Sequence, residues 1–294
     1  MAKKEIAYVR ILNEMTQSHL TRQRFFIEIE TQLKRPLVVF FTSFAVPVSI
    51  EDNDADMLEA VLQDLDLSSG LAIMINSPGG YALAAERIIN VCQQYSGTGE
   101  YWAIVPSQAK SAATMICLGA SKILMGPTAE LGPVDPQVSM EKDGKLQLYS
   151  AFDIVRSYEQ LFKEATKTKG NLQPYLVQLA NYDTKDIQKY KSAIELSRDI
   201  AVGVLAKGTM KARKPSEIKK KIDMFLSPEK LKSHGRPIFY KDAKKCGLNV
   251  ESIHKGDARW STIYELYLRT HVFVSRMVTK SIETRKQSFA TRLP

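Results

Sequence analysis

Several common signatures are missing from this chain, and each absence narrows what it can be. Only three cysteines, Cys92, Cys117 and Cys246, occur in 294 residues. They are too few and too scattered for a disulfide framework or a zinc cage, and their apolar or helical settings read as buried free thiols in a reducing compartment. The apolar run Pro36 to Pro47 is about a dozen residues, short of the roughly 20 that a membrane-spanning helix needs. The start, Met1-Ala2-Lys3-Lys4-Glu5, is charged and leads into no signal-type apolar stretch, so a cytoplasmic protein with no membrane span is expected. No G-x-G-x-x-G spacing and no nucleotide motif is present, which argues against a dinucleotide site. No cofactor and no metal is expected, and there is no internal repeat or low-complexity segment.

What the chain does have is a basic excess, 41 Lys and Arg against 32 Asp and Glu, for a net charge of +9. The excess sits late, at Lys207 to Lys221 and Lys230 to Lys245, whereas Glu51 to Asp66 is acidic. A nucleic-acid reader would interleave aromatics with its basic residues or carry a known motif. Neither occurs, so a charged solvent face is the reading and no nucleic-acid partner is expected. The 44% hydrophobic and 25% charged content is that of a soluble globular protein long enough to bury a real core.

Taken in order, residues 1–35 read as an amphipathic helical extension. Leu37 to Phe41 is a continuous apolar run, the pattern of a strand buried on both faces. Ser49 to Leu67 begins with acidic residues, which suit the positive end of a helix, and then places Met57, Leu58, Val61, Leu62 and Leu65 at helical spacing. Strand Leu71 to Ile75, helix Tyr81 to Tyr95, strand Tyr101 to Val105, a short helix Ser111 to Leu118 and strand Lys122 to Met125 follow. Alternation of this kind predicts a parallel sheet with right-handed crossovers. Pro127 to Gln137 reads as a constrained loop, Asp143-Gly144 as a hairpin turn, and 151–168, 174–207 and 215–226 as helices. Ile238 to Tyr240 suits a short strand, followed by a helix over Lys241 to Cys246 capped by Gly247. Arg259 to Lys280 reads as the final helix, and the polar tail from Ser281 as frayed.

Two stretches carry chemistry. Leu71 to Gly80 ends a strand in Asn76-Ser77-Pro78-Gly79-Gly80, whose glycines let the backbone present free N–H groups at a strand's carboxyl end, where open α/β sheets bind ligands. The same residues also suit a plain tight turn. Further on, Lys110-Ser111-Ala112-Ala113 sets one hydroxyl among small neighbours at a helix start, where the Ala112 N–H would face a developing oxyanion. Ser111 could equally be an ordinary helix N-cap.

Together these segments resemble the Clp peptidase and signal-peptide-peptidase-A superfamily, which shares the crotonase-like fold. Lys110 to Met115 followed by Leu118-Gly119-Ala120-Ser121 is similar to its serine dehydrogenase proteinase branch. Glu130-Leu131-Gly132-Pro133-Val134-Asp135-Pro136-Gln137, His234-Gly235-Arg236-Pro237-Ile238 and Ala243 to Leu248 fit that branch too, so the resemblance covers roughly residues 37–250. It implies an α/β crotonase-like fold, a peptidase-like domain over 36–250, an N-terminal extension over 1–35, and a C-terminal helix and tail over 251–294. It implies a serine endopeptidase acting on peptide or unfolded protein, with nucleophile Ser111 and an oxyanion hole from Gly79, Gly80 and Ala112. A homo-oligomer assembled through the helical portion after Ala151, and an accessory unfoldase or regulatory protein, belong to the same expectation.

The base departs from the Clp pattern. Asp135 and Pro136 fall where that pattern has histidine, and His234 falls near its aspartate. Three arrangements stay open: His234 oriented by Asp135, a lysine such as Lys110 or a group from another subunit, or no base and a binding scaffold. His234 titrates in the useful range without help, yet a lone histidine in a Lys-rich stretch also reads as a surface residue, and Asp135 between prolines as a turn former. A crotonase-type thioester enzyme using the same hole would need a carboxylate facing the substrate, and neither helix start supplies one.

Overall fold

The computed structural model describes residues 11, 18–142, 144–227 and 235–292. Its centre is a mixed, mostly parallel sheet. Helix α1 (Leu20–Leu33) leads to β1 (Leu37–Thr42), and α2 (Asp52–Leu62) to β2 (Leu71–Asn76). Then come α3 (Ala82–Tyr95), β3 (Tyr101–Val105), the two-residue β4 (Gln108–Ala109), α4 (Ala112–Leu118) and β5 (Lys122–Met125). After β5 lie β6 (Glu130–Leu131), the hairpin β7 (Gln137–Lys142) and β8 (Lys145–Ser150), and helices α5 (Ala151–Lys167), α6 (Gln173–Leu179), α7 (Thr184–Lys207), α8 (Pro215–Lys221) and α9 (Asp223–Leu226). The chain closes with β9 (Ile238–Phe239), α10 (Tyr240–Lys245), β10 (Val250–Ser252), α11 (Ala258–Arg276), β11 (Lys280–Glu283) and β12 (Ser288–Thr291).

Among the described residues the main sheet has the order β10-β5-β3-β2-β1-β11-β12, parallel from β10 to β1 and antiparallel at β11 and β12. Because side chains alternate along a strand, β1 sends Val38 and Phe40 to one face and Leu37, Val39 and Phe41 to the other. The first face is covered by α2, α3, α4 and the later turns of α7, the second by α1 and α11. Full burial of a Leu, Ile or Phe side chain contributes roughly 1.5–3 kcal/mol, so two apolar faces on each central strand hold the sheet firmly. The three cysteines are buried free thiols, and burial alone pushes Cys92 up to about 12.

Local chemistry sets the ends. The acidic first turn of α2 is a capping box, with Glu51 and Asp54 each accepting the other's backbone N–H. The predicted 174–207 helix is two helices, because Asp183 accepts the Lys185 N–H and starts α7 afresh. The predicted loop after Gly126 contains β6, parallel to β4 and antiparallel to β9. The tail from Ser281 is not frayed: Lys280 to Glu283 are all buried and β11 pairs with β1. Its polar residues escaped an apolar pattern because they are paired inside, Glu283 with Arg22 and Lys280 with Asp54.

Candidate active site

The carboxyl ends of β1 and β2 lie side by side, with Phe41 in register with Asn76. Beyond β2 the chain turns through Ser77 to Gly80, and the segment before Ser111 is stapled alongside it. The Ser77 N–H donates to Gln108 O at 3.0 Å, the Lys110 N–H donates to Ser77 O at 3.0 Å, and the Gln108 N–H donates to Asn76 Oδ1 at 3.0 Å. The two stretches that the sequence singled out, about thirty residues apart, are thus one unit.

Each glycine is needed for its own reason. Gly79 has φ +110°, and a Cβ there would lie 2.7 Å from both Lys110 O and Ser111 Cβ and 3.2 Å from Ala112 N. Gly80 lies against the backbone that opens α2: a Cβ on it would come 2.2 Å from Ile50 N. That approach is held by the Ile50 N–H donating to Gly79 O at 2.8 Å and the Tyr81 N–H donating to Ile50 O at 2.9 Å.

Ser111 has φ 48° and ψ −119°, left-handed backbone that a residue with a side chain adopts at a cost of order 1–3 kcal/mol. It stands at the N-cap of α4, but its hydroxyl makes no capping bond, which removes the simplest explanation of that strain. Ser111 as a residue is half-buried. Ala112 begins the helix and has no intrahelical partner for its N–H; among the described residues it has no other partner either. The Gly80 N–H is likewise unbonded among the described residues. The Gly79 N–H, by contrast, donates to Ser77 Oγ at 3.0 Å, and that oxygen shares a 2.6 Å hydrogen bond with Thr42 Oγ1, both hydroxyls being buried.

The candidates for a base are scattered. The Lys110 ammonium lies 2.6 Å from Glu130 Oε1 and 3.4 Å from Leu131 O, and its stem crosses Gly132, where a Cβ would come 2.8 Å from Lys110 Cδ. To act as a base it would have to leave that carboxylate and lose its proton. Asp135 is buried and accepts the Ser150 hydroxyl at 2.9 Å, and Ser150 caps α5. His234 lies outside the described residues. The remaining histidines belong elsewhere: His19 bonds Thr284 O at 2.7 Å, His271 stacks on Tyr267 with burial lowering its pKa, and His254 is exposed on the approach to α11.

Three neighbours of the site had no role assigned from the sequence, although Ser77 and Thr114 lie inside the quoted motifs. Thr42 and Ser77 form the buried hydroxyl pair behind the turn, and Thr114 donates to Ala109 O at 2.7 Å while accepting the Gly132 N–H at 3.0 Å. Glu130 stood within a family-like run but signalled no pairing. Thr42 could have been found, as the polar end of an otherwise apolar strand.

The mostly parallel sheet, with a strained serine at a strand-to-helix turn against a glycine turn, makes this an α/β protein with a candidate serine nucleophile. Residues 41–280 match the family described as ClpP-like SDH-type serine proteinase, and the chain belongs to it. It is 31% identical over 214 residues to the uncharacterized protein MJ0137 of Methanocaldococcus jannaschii, a match covering 71% of this chain and 64% of that protein. With the uncharacterized protein MJ1495 of the same organism it shares 31% identity over 111 residues, 38% of this chain and 34% of the other. The chain therefore spans less than two thirds of the length of these curated relatives. Among solved structures it is similar to a mutant of ClpP1 from Listeria monocytogenes, at 15% identity and a TM-score of 0.42 over 79% of this chain and 99% of the other. A mutant of 1510-N, a membrane-bound stomatin-specific protease, matches at 18% identity and a TM-score of 0.30 over 51% of this chain and 80% of the other. No helix among the described residues is long and apolar enough to cross a membrane.

Proposed function

We propose that the protein is a serine endopeptidase acting on peptide or unfolded protein. Ser111 Oγ attacks the scissile carbonyl carbon, and the carbonyl oxygen takes the negative charge opposite the Ala112 and Gly80 N–H groups, joined by Gly79 when its N–H leaves Ser77. His234, oriented by Asp135, receives the serine proton and passes it to the departing amine; water then resolves the Ser111 ester by the reverse roles. The observation that carries this reading is the Ser111 backbone itself, left-handed, with an uncapped hydroxyl beside the unbonded Ala112 N–H. The Lys110–Glu130 ion pair favours histidine over Lys110 as the base. Work inside a larger assembly, with an unfoldase or regulatory protein supplying substrate, belongs to the same proposal.

A fluorophosphonate probe tests it. The expected result is covalent labelling of the full chain that disappears in Ser111→Ala and falls sharply in His234→Ala. Equal labelling of wild type and Ser111→Ala overturns the assignment of the nucleophile. One observation favours a second reading, a catalytically silent scaffold: the Gly79 N–H is already spent on Ser77 Oγ. Hydrolysis of an unstructured protein that Ser111→Ala abolishes would eliminate that reading.

A further inference from the structure

Two charged side chains that the proposed reaction does not use are buried where β11 meets the start of α2. The side chains of Lys280 and Asp54 are 8% and 0% exposed, and 226 residues separate them. The ammonium donates to Asp54 Oδ2 at 2.9 Å and lies 2.9 Å from Oδ1, which has no hydrogen bond among the described residues. Burial pushes the Asp54 carboxyl above its ordinary value, while the Glu51 N–H and the Lys280 ammonium pull it back down. A buried pair of this kind is often no more stabilising than apolar residues of the same volume. Its reason is therefore to be sought in what the carboxylate holds.

What it holds is a short path to Gly80. Asp54 Oδ2 accepts the Glu51 N–H at 2.8 Å, which fixes Glu51 in extended backbone at the start of α2. Ile50, the residue before, is fully buried and spends both backbone groups on the turn. Its N–H donates to Gly79 O at 2.8 Å, and its carbonyl accepts the Tyr81 N–H at 2.9 Å. The Gly79 C=O and the Gly80 N–H belong to one planar trans peptide unit and point to opposite sides of it. Anchoring that carbonyl on Ile50 therefore aims the Gly80 N–H away from Ile50, where it has no partner among the described residues. Lys280 also supports the turn from a second side. It is the register partner of Thr42 across β1 and β11, so the two side chains share one face of the sheet, about 5 Å apart at Cβ. Thr42 in turn bonds Ser77 Oγ, the acceptor of the Gly79 N–H.

We infer that Lys280 and Asp54 are positioning residues of the Ser111 site: through Glu51 and Ile50 they set the direction of the Gly80 N–H. The inference rests on the peptidase reading, in which that N–H faces the oxyanion. Lys280 keeps the buried carboxylate charged, the carboxylate keeps the Ile50 segment in place, and that segment aims the donor. A misplacement of about 1 Å at a reacting centre can cost roughly 100-fold in rate, even when its source lies outside the chemistry.

The test separates aim from stability. Three variants of the full chain are compared with wild type and Ser111→Ala: Lys280→Met alone, Lys280→Met with Asp54→Asn, and Lys280→Met with Asp54→Leu. The asparagine carbonyl oxygen still accepts the Glu51 N–H and needs no cation, whereas leucine offers no acceptor. Fluorophosphonate labelling is followed to saturation, so that the saturating rate, which reports donor geometry, is read apart from the half-saturating concentration, which reports access. Urea unfolding gives the folded fraction of each variant. Labelling should require Ser111, and the saturating rate should fall about 10- to 100-fold in Lys280→Met and in the Asp54→Leu combination. The Asp54→Asn combination should recover most of that rate, with the half-saturating concentration little changed throughout. The two combinations carry the comparison even if Lys280→Met, left with an uncompensated buried carboxylate, does not fold. Equal saturating rates in the two combinations, or a folded Lys280→Met that labels like wild type, overturn the inference and leave the Ser111 reading standing. So does a rate difference that vanishes once corrected for the folded fraction. Equal labelling of wild type and Ser111→Ala instead removes the Ser111 reading, and this inference with it.

Discussion

Gly79 and Ser111 touch through the space a side chain would fill. A methyl group on Gly79 would sit 2.7 Å from Ser111 Cβ, closer than carbon atoms approach, and Gly79 is also held at φ +110°. Gly79→Ala should therefore push the glycine turn off the serine turn. Fluorophosphonate labelling should fall by about 100-fold or more, the scale of losing an oxyanion donor, in a protein that still melts cooperatively. Unchanged labelling would mean that the glycine turn plays no part in the reaction.

The Ser77 hydroxyl holds the Gly79 N–H at 3.0 Å and is itself bonded to Thr42. A neutral hydrogen bond is worth about 1 kcal/mol net, roughly a fivefold change in an equilibrium. Ser77→Ala should release that N–H and raise the labelling rate by about fivefold, and Thr42→Val should move it less. A lower rate in Ser77→Ala would show that the hydroxyl shapes the turn rather than holding its donor back.

Lys110 is bound to Glu130 at 2.6 Å. If its role is to brace the β4–β6 pairing, Lys110→Met should keep most of the labelling rate while lowering the melting temperature by a few degrees. A fall of about 10²–10⁴-fold, the usual yield of a general base, would assign that role to the lysine instead.

Arg22 and Glu283 form a buried pair, with Nε to Oε2 at 2.7 Å and NH2 to Oε1 at 2.5 Å, and Phe273 lies under the guanidinium at 4.3 Å. Breaking such a pair from one side leaves a buried charge uncompensated and costs about 3–5 kcal/mol. Arg22→Leu should lose that much in urea unfolding, and adding Glu283→Leu should recover much of it. A single variant as stable as wild type would mean that the pair is open to water.

The central strands and the helices between them were legible because apolar runs and glycine turns alternate at the right lengths. The glycine turn and Ser111 could be picked out from residue type alone, since few residues tolerate those backbone angles. What could not be read was pairing across long separations. Lys280-Ser281-Ile282-Glu283 looks like a polar tail until Asp54 and Arg22 are placed beside it. The Lys110–Glu130 pair and the Thr42–Ser77 bond depend on which strand ends share a level, which spacing along the chain does not encode.

The place of β11 has a consequence for how the molecule is made. Strand β1 forms early in the chain, yet one of its two neighbours is β11, and Arg22 waits for a partner 261 residues away. During synthesis the β2, β3 and β5 side of the sheet can assemble while the outer edge of β1 stays unpaired. Such long-range closure is slow, and an open strand edge is a template for wrong pairing. A nascent chain halted before residue 280 should accordingly bind chaperones or aggregate, even though every residue proposed for the chemistry has already been made.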